Sequence, residues 1–205
     1  AVMYARVRDY IESASIAPMV DIEFQAPWEW THNSEAIVRR LIGHLCSEYC
    51  IVGSAAIHMS AEVETGATIK GPTVIGSGCF IAASALIRGG CWLDARCTLG
   101  PGVELKSSFL FAGTKLAHLN FVGDSVLGAG VNVEAGAMIA NYRNEWADKR
   151  IRFRHAGETI DTGVEKFGAL VGDGARIGTN AVIAPGALLQ RGEIVPRLGL
   201  IDQSG

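Results

Sequence analysis

Charge of either sign is scarce in this chain. Of 205 residues, 18 are Lys or Arg and 21 are Asp or Glu, for a formal net charge of −3. No basic tract offers a nucleic-acid surface, and no acidic run marks a disordered arm. No apolar stretch is long enough for a membrane helix, and no secretory signal is visible. The chain begins at Ala1 without a Met, as a processed chain or a piece of a longer one would. The five cysteines form neither a zinc pattern nor a disulfide framework. His32, His44, His58 and His155 are scattered at spacings that suit no metal, so no structural metal is expected. A reducing, cytoplasmic setting is expected.

What the chain does have is a repeat. Ile51, Ile57, Val63, Ile69, Ile75, Ile81, Ile87, Leu93, Leu99, Leu105 and Phe111 recur every sixth residue. A fixed short period is the mark of a solenoid. Each hexad can place one large apolar side chain inside a triangular prism, with three hexads to a turn. The fold class is therefore an all-β solenoid, a parallel β-helix of hexapeptide repeats. Cys79, Cys91 and Cys97 share one slot, four residues after the large apolar one, where other hexads carry Ala or Thr. Cysteine fits such an inward slot as a small hydrophobe.

Two stretches depart from the repeat. Residues 1–50 form an N-terminal helical connector or cap before a solenoid at 51–205. Ala1 to Ser15 has a partial apolar face in Val2, Ala5, Val7 and Ile11. Ser34 can cap a second helix, whose wide face of Ile37, Leu41 and Leu45 suits burial over the first turn. Within the solenoid, the ladder slips by four residues at Ala117–Phe121 and continues as Leu127, Val133 and Ile139. A polar excursion at 141–164 interrupts it, and Pro196 to Gly205 is expected to leave the prism. Long loops that interrupt regular structure are commonly functional.

Spacing also places chemistry. Arg88 and Lys106 lie one eighteen-residue turn apart at the same hexad position, so they stack on one outer face about 4.8 Å apart. They either splay as surface cations or share an anion, which the Arg fork and the Lys point charge both suit. His118 sits at the slip, where a neutral imidazole can take a proton; Asp124 is a candidate to orient it. Asn141 and Tyr142 open the excursion with an amide and a phenol.

The ordered segments Ile87-Arg-Gly-Gly90, Glu104-Leu-Lys-Ser-Ser108, Ala117-His-Leu-Asn-Phe-Val-Gly-Asp124, Gly130-Val-Asn-Val-Glu-Ala-Gly136 and Ala140-Asn-Tyr142 resemble a known family. It is the left-handed β-helix acetyltransferase domain of bifunctional N-acetylglucosamine-1-phosphate uridyltransferase/glucosamine-1-phosphate acetyltransferase. The run Lys166 to Asn180 with Ala184-Pro-Gly186 is similar to related archaeal-type sugar-phosphate nucleotidyltransferases. The resemblance implies the left hand, a homotrimer with sites between subunits, acetyl-CoA as co-substrate and an amino-sugar phosphate as acceptor. On this likeness His118 matches the general base, and Arg88, Lys106, Asn132 and, loosely, Lys149 match sugar-phosphate contacts. Ala135, Asn141, Tyr142 and Thr179 match acetyl-CoA contacts, and the oxyanion falls to backbone amides or Asn141. Phe121 stands where a sugar-contacting Tyr is usual; the lost hydroxyl leaves a substrate group unpaired, a cost of about 1–3 kcal/mol. The Gly-rich, Arg-containing loop of the nucleotidyltransferase domain is not found in this sequence. A non-catalytic sugar-phosphate-binding or trimerisation module is the alternative. The zinc carbonic anhydrases that share this coil need three converging His, which the spacing does not supply.

Overall fold

The computed structural model describes residues 6–16 and 18–205. Three parallel sheets, of eight, seven and seven strands, wrap a single interior. In chain order, sheet I begins with Tyr49–Val52 and Ala55–His58, sheet II with Glu62–Val63, and sheet III with Thr68–Lys70. Pairing is parallel from turn to turn, as Thr73↔Cys91 and Glu104↔Leu86 illustrate. The exception in sheet I is Tyr49–Val52, which pairs antiparallel with Ala55–His58. Ile51 therefore lies outside the ladder, 61% exposed, and the interior column starts at Ile57.

The column also shifts register differently from the sequence expectation. Leu110 and Val122 fill the interior, while Phe111 is buried outside the prism and Phe121 is half-buried. The slip is thus two shortened steps, Leu105 to Leu110 and Val122 to Leu127, rather than one break near Ala117. Both fall at the corner between sheets III and I. Strand partners there are seventeen residues apart, as in Glu104↔Phe121 and Phe109↔Val126. Consecutive apolar residues, Phe109-Leu110-Phe111 and Phe121-Val122, let a six-residue count pass through the wrong member.

Sheet I is apolar on both faces. Ile75, Leu93 and Leu110 point inward, and the alternate residues Val74, Trp92 and Phe109 point outward and are buried. Their cover is the N-terminal segment. Its helices are α1 (Val7–Tyr10), α2 (Pro27–His32) and α3 (Ser34–Ile42). Trp30 of α2 is fully buried, with its ring edge-on to Phe109 at 5.4 Å, a burial that contributes roughly 1.5–3 kcal/mol. The segment runs back along the flank of the solenoid, from Tyr10, whose carbonyl accepts from Asp173 N and Arg191 Nε, to Ser34. It does not sit over the end of the coil as its apolar face suggested; the antiparallel strand Tyr49–Val52 lies at that end. Of the expected first helix, Val2 and Ala5 lie outside the described residues, and α1 stops where Ile11 turns extended (φ −127°). Ser34 is inside α3 rather than its cap, and its hydroxyl donates to the Gly89 carbonyl at 2.9 Å. Gly90 (φ +78°) must lack a side chain there, because a Cβ would lie 2.6 Å from Glu35 N.

The excursion is a structured insertion. Arg152–His155 and Glu158–Asp161 form a hairpin, and Ile151, Phe153 and Ile160 join Trp28 and Phe167 in the outer core. Arg143, 3% exposed, ties it to the C-terminus through Asp202 (2.8 and 3.0 Å) and the Pro185 carbonyl (2.7 Å). The tail stays on the prism: Leu200–Ile201 extends sheet III, and Gln203 exchanges hydrogen bonds with Leu188. No helix among the described residues is long and apolar enough to cross a membrane.

Two measurements check this architecture. Cys46 and Cys50 are exposed, whereas Cys79, Cys91 and Cys97 are buried; burial pushes the Cys91 thiol up to about 12. An aromatic-disulfide titration of native protein is expected to read the two exposed thiols quickly and the other three only after unfolding. A fast third thiol contradicts the inward slot. Arg143→Met is expected to lower unfolding free energy by about 2 kcal/mol at pH 7, since hydrogen bonds to charged groups are lost. Hydrogen bonding to Arg143 holds Asp202 below the usual carboxylate range. That contribution is complete above the unfolded aspartate value of about 4 and fades as pH falls through the lower folded value. The gap between variant and wild type in urea midpoint is therefore expected to narrow below about pH 4.

Candidate functional site

Three strands of sheet III end in outward cations, each at the outward position that follows the interior aliphatic residue. Lys70, Arg88 and Lys106 stand in one column, in register across neighbouring strands. Like charges opposite one another are destabilising, and the fold answers each of the last two with a carboxylate. Arg88 Nε donates to Glu104 Oε1 at 2.7 Å, with both side chains partly exposed. Lys106 Nζ donates to both oxygens of Asp124, at 2.9 and 3.1 Å. This second pair is far more enclosed, with side chains 14% and 6% exposed.

A cleft of about 420 Å³ opens beside this column, lined by Arg88, Lys106, Phe121, Asn141, Tyr142, Glu165 and Lys166. Sheet III supplies the first three, the start of the excursion supplies Asn141 and Tyr142, and its end supplies Glu165 and Lys166. Gly123 lies against two of these residues, Phe121 and Asn141. A Cβ there would meet Asn141 Nδ2 at 2.6 Å and the Phe121 ring at 2.7 Å, so a side chain at this position would displace one of them. Lys149 stands by the same mouth, its ammonium 5.3 Å from the Tyr142 ring centroid and bonded to the Arg143 and Asn144 carbonyls. A larger hollow of about 730 Å³ adjoins it between the α2–α3 junction and residues 163–166, sharing Lys106 as a wall.

The remaining candidates lie elsewhere. His118 occupies the corner between sheets II and III and is exposed. Its amide donates to Asn120 Oδ1, and its carbonyl accepts from Gly136 N; its imidazole has no hydrogen-bond partner among the described residues. Asp124 does not orient it, because that carboxylate is engaged by Lys106 and Asn141. Ala135 and Thr179 stack on the same corner as His118 in the following turns, linked by Gly136 N→His118 O and Asn180 N→Ala135 O. The Thr179 hydroxyl and amide both donate to Glu134 and hold its carboxylate below the usual range, with help from Arg197. Asn132 is on sheet II, between Lys115 and Arg176. So five candidates share the cleft with Lys149 at its mouth, three share the His118 corner, and Asn132 belongs to a third face.

Sequence reasoning passed over Glu104, Glu134, Glu165, Lys166 and Arg143. Glu104 was findable, since it precedes Lys106 by two positions on an alternating strand and so shares its outward face. The Lys106–Asp124 contact was findable as well, since the two residues are eighteen apart, the same spacing that stacks Arg88 on Lys106. Among the described residues no group of three His, Cys, Asp or Glu side chains is placed to hold a metal ion.

The bacterial transferase hexapeptide family (six repeats) matches residues 72–107. The chain is 36% identical over 145 residues to the bifunctional sugar-1-phosphate nucleotidylyltransferase/acetyltransferase of Sulfurisphaera tokodaii, covering 71% of this chain and 36% of that protein. It is 30% identical over 192 residues to the bifunctional protein GlmU of Nitratidesulfovibrio vulgaris, covering 91% and 38% respectively. The chain thus spans little more than a third of the length of these curated relatives. Among solved structures, the D94A mutant of AntD, an N-acyltransferase from Bacillus cereus in complex with dTDP and coenzyme A, is 11% identical with a TM-score of 0.43, covering 78% of this chain and 83% of that one. By its hexad ladder and its three parallel sheets, with the hexapeptide match over residues 72–107, the chain is a hexapeptide-repeat protein folded as a left-handed parallel β-helix.

Proposed function

We propose that the chain is an acetyl-CoA-dependent N-acetyltransferase acting on an amino-sugar phosphate such as glucosamine-1-phosphate, in nucleotide-sugar or cell-envelope precursor synthesis. The observation that carries this reading is the convergence of Arg88, Lys106, Phe121, Asn141 and Tyr142 on one cleft, in a chain similar to a relative whose name joins a sugar-1-phosphate to acetyl transfer. Arg88 and Lys106 hold the phosphate as a third partner beside their carboxylates, with Asn132 and Lys149 on the sugar. Ala135, Asn141, Tyr142 and Thr179 contact acetyl-CoA. The sugar amine attacks the thioester carbonyl and forms the C–N bond, His118 takes the amine proton, and as the C–S bond breaks His118 returns that proton to the departing sulfur, which leaves as the thiol.

A homotrimer is part of the proposal. His118 with Ala135 and Thr179 lies along one edge of sheet III, and the cationic cleft lies along the other. Asn132 sits on another sheet again. A site assembled between copies would reunite the three groups. The outer face of sheet III also exposes Met138 (38%), Val182 (41%) and Leu200 (66%), apolar area that a neighbouring copy would cover. The alternative of a non-catalytic sugar-phosphate-binding module draws on the closed ion pairs of Arg88 and Lys106 and on the missing hydroxyl at Phe121.

Calorimetry with acetyl-CoA and a thiol-release assay across amino-sugar phosphates separate these readings. The enzyme binds acetyl-CoA and releases thiol; the module does neither. His118→Ala is expected to reduce kcat by roughly 10²–10⁴-fold while acetyl-CoA affinity and sedimentation behaviour stay unchanged. Wild-type turnover in that variant removes His118 from the mechanism.

A further inference from the structure

The Asp124 carboxylate accepts three hydrogen bonds. Two come from Lys106 Nζ, and the third comes from Asn141 Nδ2 at 2.6 Å. Its side chain is 6% exposed, and its backbone is held in the left-handed region at φ +46°. A buried carboxylate in a conformation that non-glycine residues seldom adopt, joining two cleft residues from different segments, is a costly arrangement for mere packing. Lys106 belongs to sheet III and Asn141 to the excursion. No backbone hydrogen bond joins these two residues directly, so the carboxylate is the shared point of reference.

The contact also has a polarity. A carboxylate is acceptor-only, whereas an asparagine amide has one donor end and one acceptor end. With Asn141 Nδ2 against Asp124, Asn141 Oδ1 is left without a partner among the described residues, on a side chain that lines the cleft. We propose that Asp124 is the positioning residue of this site: it fixes the Lys106 ammonium and turns the Asn141 amide so that an acceptor oxygen faces the ligand. The ligand group opposite Asn141 is then a hydrogen-bond donor, an N–H or O–H. The kinetic part of this inference rests on the acetyltransferase reading; the polarity of the Asp124–Asn141 contact does not.

The test is a swap. Asp124→Asn keeps the shape, and asparagine tolerates the left-handed backbone, but it removes the charge that pairs with Lys106 and turns one of the two acceptors on Asp124 into a donor, facing either the Lys106 ammonium or the Asn141 amide. Asn141→Asp sets two carboxylates face to face. The double variant D124N/N141D restores one donor and one acceptor across the contact and again presents an oxygen to the cleft. Urea unfolding of the protein alone is expected to show lowered midpoints in both single variants and recovery in the double variant. Thiol-release kinetics are expected to show roughly 10²-fold lower kcat/KM for Asp124→Asn, with KM raised for both the amino-sugar phosphate and acetyl-CoA, and at least tenfold recovery in the swap. Additive unfolding effects, or unchanged KM values in Asp124→Asn, overturn the proposal. A wild-type protein that binds no acetyl-CoA and releases no thiol overturns the acetyltransferase reading instead, and the unfolding cycle still decides the polarity.

Discussion

The interior of the prism admits one aliphatic side chain per strand and one small residue per corner. That exclusion governs where chemistry can occur. Ile87, Leu105 and Val122 fill the inside of sheet III, so the residues flanking them are forced outward and meet their counterparts one inter-strand spacing away. Cations at equivalent positions then stand too close to be left unanswered. The two answers differ in strength. The Arg88–Glu104 pair is partly exposed and screened, a class of contact that contributes at most about 1 kcal/mol. The Lys106–Asp124 pair is enclosed, and separating its partners strands a buried charge. One cation of the cleft can thus change partners at little cost while the other is anchored. A site that must take up an anion without losing its geometry needs both.

Sheet I obeys the same exclusion but has apolar residues on its outer face as well. Trp92, Phe109, Leu170 and Leu188 cannot be left to water, and the chain spends two segments covering them. The N-terminal helices lie over one part and the hairpin of the excursion over another, meeting where Trp28 packs edge-on against Phe153 and Phe167. This cover is also what gives the cleft walls. Asn141, Tyr142, Glu165 and Lys166 enter and leave the hairpin, so their placement depends on the burial of Ile151, Phe153 and Ile160 as well as on the coil, whose Asp124 holds the Asn141 amide. The polar walls that the insertion gives the cleft depend on its buried apolar half.

The hexad ladder made the coil, its three faces and the Arg88–Lys106 stack legible from residues alone, because a period of six with alternating faces has one geometric solution. Cys79, Cys91 and Cys97 were legible for the same reason, as small residues in an inward slot. The flank position of the N-terminal segment was not. An amphipathic helix such as α3 shows that it needs a partner but not which one, and the outward aromatic residues of sheet I resemble ladder members when read at period six. Phe111 is the plain case, since it keeps the period but belongs to the outer core. The tail was misjudged because Pro196 and Gly199 look like an exit, yet Ile201 re-enters the interior column after them.

The two shortened turns explain why the candidate site lies where it does. At full-length turns the corner between sheets III and I carries glycine in the left-handed region: Gly71, Gly89, Gly90 and Gly186. Glycine offers the backbone freedom the corner needs but no side chain. Where the turn loses one residue, Ser107 (φ +48°) and Asp124 (φ +46°) take that conformation instead, at about 1–2 kcal/mol each. Both then use the side chains they bring. The Ser107 hydroxyl donates to the Gly89 carbonyl at 2.6 Å and joins successive corners, and Asp124 holds Lys106 and Asn141. Shortening the turn therefore exchanges a featureless glycine corner for one that carries hydrogen-bonding groups, without disturbing the interior column that Leu105, Leu110, Val122 and Leu127 continue. A register slip that reads as damage to the repeat is the device that puts a carboxylate beside the cleft.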